Sequence, residues 1–348
     1  MSDVTLSQLY QEYEMFQSVK GCTKAKARSA FRHLVAFAGD VPVAQLGPGR
    51  INKWMTWLAT RAINPRTRRP GLRPWTIKTT VGAAAQVFGW AIRQREADGS
   101  NEYGLRANPF CDADAAKVDD KAIRYYTESE AKEILATAGT LTWRDPTKTL
   151  AWYAAIQLAA VCGLRKGEVL NLRWRDVDLD GGRVLVRHRD DKPGEYWEWQ
   201  SKGKHEGEVP MSDGLWQTMF RLKQVRPWPY PFLMKCRLDD LMSRPWPLPE
   251  KIRDCPVYNW SREFNRILRA TNRQRWLDDP NATLIEHGDY HQLRKSLGTW
   301  LAKRGRPEVE VRTILRHASA ETTRRHYIGV DLEECFRSAR QEVNKIGL

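Results

Sequence analysis

Near its C-terminus the chain reads LRHASAETTRRHYIGVD, where Tyr327 follows Arg316, His317, Arg324, Arg325 and His326 within eleven residues. A tyrosine in such a positive field is either a core residue beside a solvated basic helix or a nucleophile placed to attack a phosphate. Three earlier stretches carry residue types suited to the same chemistry. They are CGLRKGEVLNLRWRDVD with Arg165, QSKGKHEGEVPMSD with Lys202, and YHQLRKSLGTWLAKRG with His291 and Arg294. Each is weak alone, because Arg165 three residues before Glu168 has the spacing of an ordinary helix ion pair, and a histidine three residues before an arginine is common.

The frame that must position these residues is large and basic. With 348 residues, 41% of them hydrophobic, the chain can bury a core in each of two domains. A net charge of +15 points to a polyanionic partner, nucleic acid first, because neutralising phosphates releases their counterions. The six cysteines are widely spaced without a CxxC pair, which suggests neither a zinc site nor a disulfide framework and fits a reducing cytosol. The opening MSDVTLSQLY lacks the basic and apolar regions of a signal peptide. The longest apolar run, LAWYAAIQLAAVCGL, is interrupted by Gln157 and is shorter than the ~20 residues that span a bilayer. It reads as a buried core helix, and no membrane partner is expected.

In the first third, apolar residues recur at helical spacing: Leu6, Leu9, Tyr10, Tyr13 and Phe16, then Ala27, Phe31, Leu34 and Val35, then Ile77, Val81, Ala84, Phe88 and Ala91. Between Asp40 and Glu96 there is no acidic residue, whereas Arg50, Lys53, Arg61, Arg66, Arg68, Arg69, Arg73, Lys78, Arg93 and Arg95 are basic. Ordinary surfaces intersperse both signs, so the stretch predicts a face that meets phosphates. The loop NPRTRRPGLRPWT would supply Arg66, Arg68, Arg69 and Arg73, and Lys78 and Thr79 would follow in the first turn of a helix starting near Thr76. Trp75 is the tryptophan placed to touch nucleic acid; the others are core by default.

A boundary follows at NPFCDADAAKVDDKAIRYYTESEAKEIL, where Thr127 and Glu130 have capping-box spacing ahead of an apolar helix. The expected organisation is a helical domain over 1–111, a linker over 112–124 and a second domain over 125–348. In the second domain, a buried helix is predicted near 149–161. Val177, Leu179, Val184 and Val186 around Asp180-Gly181-Gly182 predict a hairpin, and EYWEWQ and EVPM a further strand pair. The rest reads as helical apart from Pro- and Trp-rich loops such as RPWPYPF and RPWPLPEK. His287 and His291 lie four apart, but EHGDYH holds no HExxH pattern and no metal site is expected.

Taken together and in this order, the four segments behind a basic helical domain resemble the tyrosine recombinases, or phage integrase family, and the resemblance covers nearly the whole chain. It implies a mainly α fold with two domains: an N-terminal helical core-binding (SAM-like) domain and a C-terminal α+β catalytic domain with a small antiparallel sheet. It also implies a site-specific recombinase acting on double-stranded DNA, with Arg165, Lys202, His291, Arg294, His317 and Tyr327 as catalytic residues. The residue types suit that chemistry. Charge grows on the non-bridging oxygens of a five-coordinate phosphorus, and arginine grips such oxygens bidentately without losing its proton. Arg165 and Arg294 fit that role, His317 would donate a further hydrogen bond, and His291 would accept a proton or orient a group. A phenol leaves more readily than an alkoxide, so a 3′-phosphotyrosine at Tyr327 keeps the bond energy for rejoining. Lys202, or Lys204 two residues on, would protonate the departing 5′-oxygen. No cofactor, metal or ATP is expected.

Two departures from the family pattern stand out. Many members carry glycine at the position of Arg316, and many place the tyrosine nine residues after the histidine, whereas Tyr327 lies ten after His317 and His326 occupies the ninth position. After Tyr327, Leu332, Phe336, Ala339 and Val343 form an apolar stripe that packs either on its own domain or, as the resemblance suggests, on a neighbouring subunit of a homotetramer on synapsed DNA. The helical pattern begins by Leu6, which predicts no separate arm-binding domain and simple recombination sites, with accessory DNA-bending proteins compatible. A mobile genetic element and a cytoplasmic, nucleoid-associated location fit the resemblance. A type IB topoisomerase, which uses a similar residue set, and a catalytically silent DNA-binding protein of the same fold are the competing readings.

Overall fold

The computed structural model describes residues 3–17, 21–64, 67–113, 124–188, 206–232, 260–286, 288–316 and 332–347. The chain divides into two compact units, Met1–Lys121 and Ala122–Leu348.

The first unit is helical. α1 (Leu6–Phe16) starts at a capping box in which Thr5 Oγ1 accepts from the Gln8 N–H while Gln8 Oε1 accepts from the Thr5 N–H at 2.9 Å. α2 (Gly21–Ala38), α3 (Pro48–Thr60) and α4 (Pro74–Ala91) pack with it around Leu6, Leu9, Tyr13, Leu34, Trp54 and Phe88, all buried. Phe16, expected in the apolar stripe of α1, is exposed instead; it is the last residue of the helix. α4 begins at Pro74, two residues before the expected start, because proline's fixed φ and missing N–H suit the first helical position. Lys78 and Thr79 therefore lie in its second turn.

The second unit is built around α6 (Thr147–Ala160), which from Ala151 onward is apolar apart from Gln157 and buried apart from a half-buried Tyr153, as a central core helix must be. α5 (Glu128–Thr140) enters through the expected capping box, with the Thr127 N–H donating to Glu130 Oε2 at 2.8 Å and the Glu130 N–H to Thr127 Oγ1 at 3.2 Å. After the short α7 (Lys166–Leu170), β1 (Val177–Asp178), β2 (Arg183–Val186) and β3 (Gly207–Pro210) form an antiparallel sheet in that order. Val177 pairs with Val184 across the expected hairpin, and the EVPM strand pairs with β2 through Val184 and Val209. EYWEWQ lies outside the described residues. α8 (Asp213–Val225), α9 (Trp260–Asp278), α10 (His291–Lys303), α11 (Glu308–Leu315) and α12 (Leu332–Ile346) complete the unit.

Of these, α5, α8 and α10 all pack against α6. A cage of Trp152, Trp260, Phe264 and Tyr290 closes one side of the core, with the Trp152 and Trp260 rings 4.2 Å apart. Tyr126 ties the start of the unit to α10: its N–H donates to Ser296 Oγ at 2.8 Å, and Trp300 Nε1 donates to its carbonyl at 3.0 Å. Of the C-terminal apolar stripe, Ala339 and Val343 are buried in this unit's own core together with Ile346, and Arg340 and Asn344 bond Asp213 at the start of α8. That end of α12 packs in cis. Among the described residues no helix is long and apolar enough to cross a membrane.

Candidate active site

His291 and Arg294 occupy the first turn of α10, so their spacing of three puts them on one helical face. Just ahead of the helix, Asp289 and Gln292 hold each other reciprocally: the Asp289 N–H donates to Gln292 Oε1 at 2.7 Å, and the Gln292 N–H donates to Asp289 Oδ1 at 3.1 Å. This fixes where the helix starts and hence where His291 points out from it.

Arg294 is only 2% exposed, and its two terminal nitrogens donate to the Gly163 and Leu315 carbonyls. Those carbonyls come from the chain just before Arg165 and just before Arg316, so one guanidinium clamps two distant segments. Gly163 is essential to that approach. Its φ of +61° is left-handed, and a β-carbon there would lie 2.8 Å from Leu315 Cδ2. Burial, then the neighbouring Arg165 and Arg316 cations, push the Arg294 pKa down to about 9, with Glu168 opposing them.

Arg165 stands at the N-cap of α7, and Glu168, in the third helical position, reaches back to it. The Arg165 N–H donates to Glu168 Oε2 at 2.8 Å and its Nη1 to Oε1 at 2.9 Å. Glu168 is 4% exposed, so this is no helix-surface pair. Its second partner comes from far along the chain: Arg316 Nη2 donates to Oε2 at 2.6 Å. Burial alone would raise the Glu168 pKa, but the Arg316 charge, the Arg165 N–H and the Arg165 guanidinium together hold it below the ordinary carboxylate value. The carboxylate is thus ionised and shared between two arginines.

His291 is exposed, yet its pKa is lowered. Protein packed around the ring depletes water, and the Arg294, Lys295 and Arg165 charges repel the protonated form, against a smaller opposing pull from Asp289. At neutral pH the imidazole is uncharged and able to accept a proton. Cys162, next to Gly163, bonds the Pro210 carbonyl of β3 at 3.1 Å, and burial pushes its thiol up to about 12. It fastens the sheet to the site and offers no thiolate.

The fold therefore brings together Arg165, His291 and Arg294 from two elements more than 120 residues apart in sequence. Lys202, His317 and Tyr327 lie outside the described residues, as does His287. What the motifs left out is Glu168 as a shared anchor and Arg316 as its second partner. The Arg-x-x-Glu spacing was a visible signal for the first, whereas the second pairing spans 148 residues and leaves none. Among the described residues no cluster of three or more His, Cys, Asp or Glu side chains is placed to hold a metal ion.

In the first unit, the described residues between α3 and α4 are tied together by backbone hydrogen bonds. The Asn64 N–H donates to the Arg69 carbonyl at 2.9 Å and the Arg68 N–H to the Asn64 carbonyl at 2.8 Å, and Ile63 bridges to Pro70. Gly71, at φ +85°, passes so close to α3 that a β-carbon would sit 2.6 Å from the Ala59 carbonyl oxygen. Arg68, Arg69, Arg73, Lys78 and Thr79 are all exposed; Arg66 lies outside the described residues. Trp75 is 61% exposed with Lys78 Nζ 5.9 Å from its ring centroid. The turn and the start of α4 thus carry cations and one aromatic ring into solvent, as contact with a phosphate backbone requires.

Comparison with known proteins gives a consistent result. The model of the phage integrase family matches residues 124–334, more than half of the chain. The tyrosine recombinase XerC of Xanthomonas campestris pv. campestris (strain B100) is 28% identical over 150 residues, 42% of this chain and 39% of that relative, so well under half of the relative is spanned. Among solved structures, the Tn1549 transposon integrase in complex with transposon right end DNA aligns with a TM-score of 0.64 at 20% identity, over 99% of this chain and 100% of that one. A lambda integrase tetramer bound to a Holliday junction aligns with a TM-score of 0.60 at 18% identity, over 91% of this chain and 79% of that one. At these identities the two structures share the mainly helical, two-domain fold.

Proposed function

The chain belongs to the phage integrase family, and from that premise we propose that it is a site-specific DNA recombinase that cuts and rejoins strands through a 3′-phosphotyrosine. The observation that carries this reading is the arginine cluster around Glu168. Arg165, Arg294 and Arg316 set three positive charges against one carboxylate in a largely buried setting. Buried charge is costly unless matched, and a phosphate entering the cluster supplies the match.

In this reading Tyr327 attacks the scissile phosphorus, its phenolic oxygen forms the new P–O bond, and the 5′-oxygen leaves with a proton from Lys202. Arg165, Arg294 and His317 hold the non-bridging oxygens, and neutral His291 takes up the phenolic proton or orients the nucleophile. One phosphodiester is exchanged for another, so ATP is not consumed. The roles of Lys202, His317 and Tyr327 rest on the family resemblance and their order in the chain. The first unit acts as the core-binding domain, gripping duplex DNA through Arg66, Arg68, Arg69, Arg73, Lys78 and Thr79. The likeness to a lambda integrase tetramer on a Holliday junction supports a homotetramer on synapsed sites, working in the cytoplasm on the nucleoid.

The test uses duplexes nicked close to candidate sites, drawn from the flanks of the gene, and detects protein bound to DNA through boiling detergent. The expected adduct forms in EDTA, maps to a 3′-phosphate and is abolished by Tyr327→Phe. Tight binding with no adduct on any flank favours a silent DNA-binding protein. Relaxation of any supercoiled plasmid without exchange between two sites favours a topoisomerase.

A further inference from the structure

Arg316 combines two liabilities at one residue. Its backbone sits at φ +50° at the C-terminal cap of α11, a left-handed conformation that β-carbons disfavour. Its side chain, 7% exposed, fixes Nη2 on Glu168, while Nη1 is shut off from solvent and hydrogen-bonds no acceptor among the described residues. An arginine serving only to pair with Glu168 leaves that second nitrogen unexplained, and buried donors are rarely left unmet without a role. The stem is held in turn by β3, since a β-carbon on Gly207 would come within 3.1 Å of Arg316 Cδ. Backbone strain and an orphaned donor in a fixed head group are the marks of a site that keeps its cost for function.

Charge counting indicates which function. Among the described residues, Arg165 and Arg294 against Glu168 leave a surplus of one positive charge, which matches a phosphodiester at rest. Arg316 raises the surplus to two, which matches the dianionic five-coordinate phosphorus formed when a nucleophile adds. We propose that Arg316 is a third phosphate-binding arginine of this site, anchored on Glu168 through Nη2 and donating from Nη1 to a non-bridging oxygen of the scissile phosphate. This rests on the strand-transfer reading above and adds a residue to it.

The experiment compares the unsubstituted chain, Arg316→Gly and Arg316→Lys on two nicked duplexes, one with an ordinary scissile phosphate and one with a methylphosphonate there, which lacks the negative charge. Arg316→Lys keeps a cation beside Glu168; Arg316→Gly suits the backbone conformation but breaks that buried pair, so thermal melting checks that it is folded at the assay temperature. On the phosphate substrate its adduct should form on the order of 100-fold more slowly, the scale of losing one transition-state donor, with DNA affinity within about threefold, the mark of a group acting in the transition state. Lysine should recover part of the rate. On the methylphosphonate the deficit of Arg316→Gly should shrink to less than about tenfold, because less charge remains to be neutralised. Equal losses on both substrates, or no loss on either, overturn the proposal. Absence of adduct from the unsubstituted chain overturns the strand-transfer reading itself and this proposal with it.

Discussion

Replacing Glu168 by glutamine preserves shape and removes one charge from the centre of the arginine cluster. The carboxylate accepts from the Arg165 N–H at 2.8 Å, Arg165 Nη1 at 2.9 Å and Arg316 Nη2 at 2.6 Å. Glutamine's carbonyl oxygen in the Oε2 position can keep two of these, from the Arg165 N–H and Arg316 Nη2, while its amide turns a donor toward Arg165 Nη1. Removing one partner of a buried ion pair costs about 3–5 kcal/mol, and the two retained hydrogen bonds return about 1 kcal/mol each. The expected loss is therefore about 2 kcal/mol, which in a unit of this size lowers Tm by roughly 4–8 °C. Urea denaturation of the full chain, followed by tryptophan fluorescence, measures it at pH 7. The pH dependence has a definite sign. The folded-state pKa of Glu168 lies below its ordinary 4.5, so its contribution is complete above that value and is lost as pH falls through the folded one. The gap between Glu168→Gln and the unsubstituted chain should narrow on acidification below pH 4.5. A gap under about 1 kcal/mol at pH 7, or one that does not change in acid, refutes an ionised, shared carboxylate.

Three further outcomes follow from the geometry. Replacing the exposed Arg68, Arg69 and Arg73 together by alanine should flatten the salt dependence of duplex binding by about 0.9 in log–log slope for each residue that grips a phosphate; an unchanged slope removes the loop from the DNA interface. Because the His291 pKa is lowered, its imidazole stays neutral as pH falls from 8 to 6.5, so the single-turnover rate of adduct formation should hold over that range. A His291-dependent decline centred above pH 6.5 contradicts the assignment. Thr127→Ala removes the cap of α5 and should lower unfolding free energy by about 1 kcal/mol in the same urea assay.

Much of the local structure was legible because its causes act over a few residues. Thr127 and Glu130 form the capping box that their spacing predicts, Val177 and Val184 pair across the Gly-containing turn, and the apolar run near 149–161 marks the central helix. The order of four short motifs was enough to indicate the family, and their spacing placed His291 and Arg294 on one helical turn. What no local pattern could determine is how those motifs are held against one another. The Arg294 guanidinium joins the Gly163 and Leu315 carbonyls, and Glu168 joins Arg165 to Arg316 across 148 residues. These pairings depend on α10 packing against α6 and on a cysteine bond fastening β3 beside Gly163. Hydrophobic periodicity says which face of an element is buried, not which element will meet it. The basic residues of the site were therefore visible in the chain, while the buried carboxylate that orders them and the left-handed Arg316 that raises their charge emerged only once the core had packed.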